Sequence, residues 1–413
     1  MGMKDTKLYE QLLGINPPWS VTKVTLNKEA GEIEVEAACA ELVWACPQCQ
    51  GRMRVNGYER RRWRHLDSCQ YKTYLAAAVP RVICEQHGSQ MVAVPWAEPY
   101  SRFTRLFERL AIDLLLECSV AGACGILGLN WNEADGIKQR AVKRGLKHKA
   151  PVLSRQVCVD EKAAGHGHDY LTIVIRADKA GEATVEHLGD GRDEAALDGY
   201  FQGLSPEQLA GIQAMAMDLW KPYLASARRH LPKSEEKIVH DAFHLVRHLN
   251  NALNDVRKAE HRQLKSQGDE RLKATRFLWL KGLERLDDEE LTALEKLKRG
   301  KLRTARAWAL KEMFRDFFKS RNRLHAQAFF RCWYDWAIRS RLEPVKKVAR
   351  MFRAHLANIL TYFDHRLTNA AAEGINNKIQ GLIQKAFGYR NRERFKTDIL
   401  FHLGGLDLYP ITA

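Results

Sequence analysis

Gln156-Val157-Cys158-Val159-Asp160, an apolar run that ends in a carboxylate, is the stretch from which the fold can be read. Its length and β-branched content fit a short buried strand. Tyr170-Leu171-Thr172-Ile173-Val174-Ile175-Arg176-Ala177 and Thr184-Val185-Glu186-His187-Leu188 read as the next two strands, on either side of a Lys179-Ala180-Gly181-Glu182 turn. A helix from about Glu194 follows. Then comes Ile212-Gln213-Ala214-Met215-Ala216-Met217-Asp218, a second strand ending in a carboxylate, with Leu219-Trp220-Lys221-Pro222-Tyr223 opening the helix behind it. Lys237-Ile238-Val239-His240-Asp241 reads as a fifth strand. Three strands, helix, strand, helix, strand, helix is the order of a ribonuclease-H-like fold. In that fold the ends of the first and fourth strands lie side by side, so Asp160 and Asp218 are expected to face one cleft.

Two carboxylates held together repel each other, and a bound cation relieves that repulsion, which makes such a pair a natural magnesium site. With 50 acidic residues in the chain, some fall at strand ends by chance, so either Asp alone decides nothing.

Working outward, the segment before residue 99 carries Cys46-Pro47-Gln48-Cys49 and Cys84-Glu85-Gln86-His87, two turns that each offer two zinc ligands three positions apart. Between them lie Arg60-Arg61-Arg62-Trp63-Arg64-His65 and the strand-like Tyr74-Leu75-Ala76-Ala77-Ala78-Val79. The pattern predicts a basic ribbon tied at its base by structural zinc on Cys46, Cys49, Cys84 and His87. The alternative is two unrelated turns and a buried thiol. Four protein ligands leave no open position for catalysis. Cys39 and Cys69 have no partner at ligand spacing and are read as small core residues. The run Glu32-Ile33-Glu34-Val35-Glu36 alternates as a half-buried strand does.

From Ser119 to Arg140 the chain places Cys124 four positions before Gly128, a capping Asn130, and Ala134 and Ile137 at inward positions. This suits a helix-turn-helix or an ordinary helical hairpin equally, and the basic ribbon favours the former. In a helix-turn-helix the second helix enters the major groove, with Asn132 and Gln139 near base edges and Lys138, Arg140, Lys143 and Arg144 pointing outward to phosphates.

Composition agrees with an anionic partner. The 413 residues hold 66 Lys and Arg against 50 Asp and Glu, a formal charge of +16. Charge alone puts nucleic acid only modestly ahead of an anionic membrane or an acidic protein. No apolar run approaches the roughly 20 residues of a bilayer span, and no secretory signal is seen. Nine cysteines, an odd number and mostly scattered, point to a reducing compartment. A bacterial cytoplasmic, nucleoid-associated protein is expected.

Four ordered blocks make the likeness specific. Val159-Asp160-Glu161-Lys162 with Gly167-His168-Asp169-Tyr170-Leu171-Thr172, Met217-Asp218-Leu219-Trp220-Lys221-Pro222-Tyr223, His240-Asp241-Ala242-Phe243-His244-Leu245-Val246, and Asn369-Ala370-Ala371-Ala372-Glu373-Gly374-Ile375-Asn376-Asn377-Lys378-Ile379-Gln380 followed by Ala386-Phe387-Gly388-Tyr389-Arg390-Asn391 closely resemble the ISL-three family of insertion-sequence transposases. The likeness runs over nearly the whole chain. Many family members have Cys where this chain has His87, which leaves the zinc ligand set open. The resemblance implies a catalytic and metal-binding triad of Asp160, Asp218 and Glu373 holding Mg2+ (or Mn2+), double-stranded DNA as partner, and a homodimer or higher oligomer on DNA. Asn376, Asn377 and Lys378, on one helix with Glu373, fit phosphate contacts, and Asp241 and His244 are assigned to support the cleft.

The expected fold is thus multi-domain α+β. A zinc-ribbon domain spans 1–99, a helix-turn-helix 100–150, and a ribonuclease-H-like catalytic core 151–254 with 351–413, interrupted by an all-helical insertion at 255–350. That insertion holds 26 Lys and Arg against 14 Asp and Glu, a net of +12, which suits a clamp over DNA. Its Trp279, Trp308, Trp333 and Trp336 are expected to pack its core. Two rivals share parts of this pattern: a structure-specific nuclease that cuts without joining, and a DNA-binding regulator with a vestigial triad.

Overall fold

The computed structural model describes residues 4–165, 167, 169–177 and 183–411. The Lys179–Glu182 turn and His168 lie outside the described residues. The chain forms two compact units, one from Met1–Ala150 with Lys385–Ala413, the other from Pro151–Gln384. Among the described residues no helix is long and apolar enough to cross a membrane.

The first unit begins with helix α1 (Asp5–Leu12) and strands β1 (Trp19–Asn27), β2 (Glu32–Cys39), β3 (Val43–Ala45), β4 (Arg52–Arg64), β5 (Lys72–Cys84) and β6 (Gly88–Met91). They build one sheet in the order β1-β2-β5-β4-β3, with β6 pairing the end of β5. The β2 alternation buries Ile33, Val35 and Ala37 and turns its glutamates outward. Trp19, Trp63 and Trp96 close the core beneath, with ring centroids 4.8 and 5.5 Å from the Trp96 ring. Cys69, expected in a core, is exposed.

Three helices follow: α2 (Arg105–Glu117), α3 (Val120–Leu127) and α4 (Trp131–His148). Local chemistry sets each start. Thr104, Ser119 and Asn130 cap α2, α3 and α4 through their side chains, and Asn130 and Glu133 form a reciprocal capping box. Gly128 ends α3 with φ +65°, a left-handed conformation that favours glycine. Residues 102–104 bind this helical part to the sheet. Arg64 N donates to Arg102 O (2.9 Å) and Thr104 N to Arg64 O (3.0 Å), extending the edge of β4, and the buried His65 ring meets Thr104 Oγ1 at 2.8 Å.

The second unit contains strands β7 (Gln156–Ala163), β8 (Tyr170–Ala177), β9 (Ala183–Asp190), β10 (Ala214–Met217) and β11 (Ile238–His240). Their order is β11-β10-β7-β8-β9. β7, β8 and β9 pair antiparallel, whereas β10 runs parallel to both β7 and β11. Helices α5 (Glu194–Gln202), α6 (Pro206–Gly211), α7 (Lys221–His230) and α8 (Ser234–Lys237) make the crossovers. Lys237, expected to begin the fifth strand, instead ends α8.

The sheet leads into α9 (Ala242–Ser266), α10 (Arg276–Leu280), α11 (Asp288–Lys298), α12 (Arg303–Phe317), α13 (Arg323–Arg339), α14 (Glu343–Ala354), α15 (Leu356–Leu360), α16 (Tyr362–His365) and α17 (Ala370–Lys385). α9 runs unbroken through the boundary expected at residue 254, because Leu245, Leu249, Leu253 and Val256 lie at helical spacing in one core with α12 and α14. Trp279, Trp308 and Trp333 are buried in that core, but Trp336 is 41% exposed.

The last helix, α18 (Arg392–Leu403), corrects the boundary drawn at 351–413. Phe401 and Leu408 share a core with Ala134, Ile137 and Ala141 of α4, so the tail belongs to the first unit.

Candidate active site and metal centre

Asp160 ends the apolar part of β7 and Asp218 follows β10, the strand parallel to it, so the two carboxylates emerge at one edge of the sheet. α17 brings Glu373. All three line a cavity of about 490 Å³, with Glu161, Tyr223, Phe243, His244, Arg247, Asn376 and Asn377.

The carboxylates are held firmly. Asp160 Oδ1 accepts from Glu161 N (2.8 Å) and Oδ2 from Asn376 Nδ2 (2.8 Å). Asn376, expected to meet phosphate, lines the cavity and fixes this carboxylate. Lys162 Nζ donates to Asn376 O (3.4 Å) and Gln380 Oε1 (3.0 Å), holding α17 against β7. Asp218 Oδ1 accepts from Leu219 N (2.6 Å), and Oδ2 takes an ion pair from Arg247 (3.1 Å). The rings of His244 and His248 stand 3.9 Å from Asp218 Oδ1.

Burial pushes the Asp160 carboxyl above its ordinary pKa, and the charge of Asp218 adds to the rise. Burial also raises that of Glu161, partly offset by Arg192. Such an acidic cavity suits a hard cation. Asp160, Asp218 and Glu373 offer the oxygen ligands.

Asp241, itself buried, serves two helices. Its Oδ2 caps α9 through His244 N (3.3 Å), and its Oδ1 accepts from the buried Asn369 N (3.1 Å) at the start of α17. Lys378, on the same helix as Glu373, is exposed and does not line the cavity. Arg247 and His248 escaped the sequence reading. The signal was present, since positions 244, 247 and 248 share one helical face behind the capping Asp241.

In the first unit Cys46, Cys49, Cys84 and His87 converge, with ligand atoms all within 4.8 Å of one another. Cys49 Sγ to Cys84 Sγ is 3.6 Å, Cys84 Sγ to His87 Nδ1 is 3.4 Å and Cys46 Sγ to His87 Nδ1 is 3.8 Å. Tetrahedral zinc with bonds of about 2.0–2.3 Å requires edges of roughly 3.3–3.8 Å, so this donor set fits. Backbone N–H groups of Cys49 and Gln48 lower the Cys46 thiol to about 6.

The residues expected to contact DNA divide. On α4, Asn132, Gln139 and Lys143 are exposed. Lys138 and Arg144, expected outward, are buried: Lys138 pairs with Asp398, and Arg144 with Glu98 and with Leu408 O (2.7 Å). Each lies on the stripe that α18 and the tail cover. Arg140 is half-buried and bound to the buried Glu108 (Nε to Oε1, 2.8 Å). In the ribbon, Arg60 pairs with Glu34 (3.0 Å), Arg61 with Glu59 (3.7 Å), Arg62 with Glu32 (2.7 Å) and Arg64 with Asp67.

Comparison with known families agrees along the whole chain. Residues 157–399 match the family model described as transposase of the ISL3 type. Residues 42–87 match the zinc-finger of transposase IS204/IS1001/IS1096/IS1165, and residues 92–142 the helix-turn-helix domain of transposase family ISL3. The transposase for insertion sequence element IS1001 of Bordetella parapertussis is 26% identical over 399 residues, covering 95% of this chain and 97% of the relative. The transposase for insertion sequence element IS1557 of Mycobacterium tuberculosis is 26% identical over 438 residues, covering 98% and 96%. A zinc ribbon, a helix-turn-helix and a carboxylate-lined cavity in one chain thus define a DNA transposase, an enzyme that acts on DNA. The chain belongs to the ISL3 family of transposases.

Proposed function

We propose that the protein cuts and joins DNA at the ends of an insertion sequence through an Asp160–Asp218–Glu373 site on a ribonuclease-H-like core. The observation that carries this is the convergence of those three carboxylates, from β7, the end of β10 and α17, on one cavity. The strand order, with β10 parallel to β7 at the centre, supports the fold assignment. Magnesium or manganese held by the triad supplies Lewis-acid chemistry, lowering the pKa of water and offsetting charge on a leaving oxygen.

The chain's own residues do the rest. Asn376 and the Glu161 amide fix both oxygens of Asp160, and Arg247 holds one oxygen of Asp218. At an element end, water oxygen adds to phosphorus as the bond to the 3′ oxygen breaks, leaving a 3′-hydroxyl on the element and a 5′-phosphate on the flank. That hydroxyl then attacks a target phosphodiester and displaces the target's own 3′-hydroxyl. Arg247, at the rim, is placed to meet the phosphate in both steps.

Zinc on Cys46, Cys49, Cys84 and His87 holds the ribbon. The exposed face of α4, with Asn132, Gln139 and Lys143, reads the end sequence in the major groove. The helices from α10 to α14 form an insertion that clamps DNA over the cavity. Because one element has two ends, two copies act together, in the bacterial cytoplasm at the nucleoid. Glu373→Gln is the test: cleavage should be lost while DNA binding stays at the wild-type level. Full cleavage by that variant removes the triad assignment.

A further inference from the structure

The arginine row of the ribbon is largely neutralised from within, which raises the question of where this unit carries free positive charge. Arg60 and Arg62 are held by Glu32, Glu34 and Glu36 of β2, and Arg61 by Glu59. The Arg62 guanidinium also stacks on Tyr74, 3.4 Å from the ring centroid. Arg64 is turned inward, 11% exposed, onto Asp67 and the Thr73 carbonyl.

Two other cations stand differently. Lys72, at the start of β5, and Arg102, in the segment that docks on the edge of β4, are both exposed and have no acidic partner among the described residues. They line one cleft of about 200 Å³ together with Arg62, Arg64, Tyr74 and Glu133, and Gly128 and Leu129 in the turn between α3 and α4 complete it. The Lys72 ammonium lies against that turn: a Cβ built on Gly128 would stand 3.8 Å from its Nζ. Arg102 also lines the adjoining depression beside Asn130 and Asn132, where the exposed face of α4 begins. The cleft is therefore a seam where ribbon, docking segment and helix-turn-helix meet: backbone hydrogen bonds join Arg102 and Thr104 to Arg64, and Phe103 shares a core with Leu127, Ala134 and Ile137.

We infer that this seam seats a backbone phosphate of double-stranded DNA, with Lys72 and Arg102 as its contacts, and so sets the register of α4 in the groove. This rests on the DNA-binding part of the proposed function and adds to it the surface that bears the backbone. Charge complementarity selects the occupant: two unpaired cations beside a helix that offers side chains to base edges fit a phosphodiester. Contacts of this kind fix position without reading sequence. Arg60 and Arg61, outside the cleft and paired with Glu34, Glu36 and Glu59, then contribute little.

The test is fluorescence anisotropy of the full chain on a duplex from the element's end and on one of unrelated sequence, over about 50–200 mM salt. Lys72→Ala and Arg102→Ala should each reduce the slope of log affinity against log salt by about one, and the double variant by about two, on both duplexes. Arg60→Ala/Arg61→Ala should leave the slope unchanged. An unchanged slope in the Lys72→Ala/Arg102→Ala variant, or a drop as large in the arginine pair, overturns the seam while leaving the transposase reading intact. Failure of the wild type to bind either duplex removes the DNA reading and the seam with it. Lys72 and Arg102 are exposed with no acidic partner among the described residues, and the Arg60 and Arg61 ion pairs lie at the surface, where each contributes about 0–1 kcal/mol, so folding is preserved, and a thermal melt matching wild type verifies this.

Discussion

Lys138→Ala is expected to destabilise the DNA-binding unit rather than simply weaken its grip on DNA. The Lys138 and Asp398 side chains are 6% and 7% exposed and form an ion pair between α4 and α18. Removing the ammonium leaves a buried carboxylate whose remaining side-chain donor is the Tyr389 hydroxyl at 2.7 Å. Breaking a buried pair from one side costs about 3–5 kcal/mol. For a unit of this size that lowers its melting temperature by roughly 6–20 °C. Lys138→Met/Asp398→Leu replaces both charges by apolar groups and should recover most of the loss, the residue being about 1 kcal/mol for the Tyr389 hydroxyl left without its acceptor. Calorimetry of the full chain with zinc reports the unfolding. Salt titration of DNA binding by the double variant reports the other role, and its slope should equal that of wild type. A Lys138→Ala protein that melts normally and loses only DNA affinity would refute this reasoning and return Lys138 to the phosphate contacts.

Three further outcomes follow from the same structure. His240 is buried, with Nδ1 on Met217 O at 3.3 Å, and burial lowers its pKa from 6.5 to about 4. The unfolded chain therefore binds more protons between those values, so stability should rise by roughly 3 kcal/mol from pH 4 to 6.5 and stay flat above. Urea unfolding of wild type and His240→Gln checks this, the variant losing that part of the slope. Cys84→Ser should release zinc, measured as metal content after dialysis, and melt the sheet of the first unit while α9 to α16 stay folded; a variant that keeps its metal contradicts the ligand set. Arg247→Ala frees a partly exposed ion pair on Asp218, worth about 0–1 kcal/mol. Manganese binding, followed by titration calorimetry, should tighten by up to about fivefold, and weaker binding would mean that Arg247 orders the site for the ion.

The strand order of the second unit and the meeting of Asp160 with Asp218 were legible because their pattern is local. β7 and β10 are short apolar runs, each closed by an Asp, and adjacent parallel strands bring their ends together whatever follows. Capping was legible for the same reason: Asn130 acts on a helix that begins at the next residue. What failed is long-range. Lys138 and Arg144 lie on a face of α4 that looks polar by type, and nothing within the helix tells that α18, some 260 positions later, covers it. Arg60 and Arg62 looked free because their partners sit on β2, which meets β4 only through β5, whereas Arg61 and Arg64 pair with Glu59 and Asp67 close by in sequence. The hydrogen bond from Asn376 to Asp160 spans 216 positions and leaves no local sign.

The most direct test of the transposase assignment is strand cleavage and joining in vitro on DNA carrying the element's two ends, with magnesium, by wild type and Asp160→Asn. Joined products from wild type and none from the variant are expected. End-specific binding without cleavage by either protein, where a control transposase is active, would contradict the assignment and leave a DNA-binding protein with an idle triad.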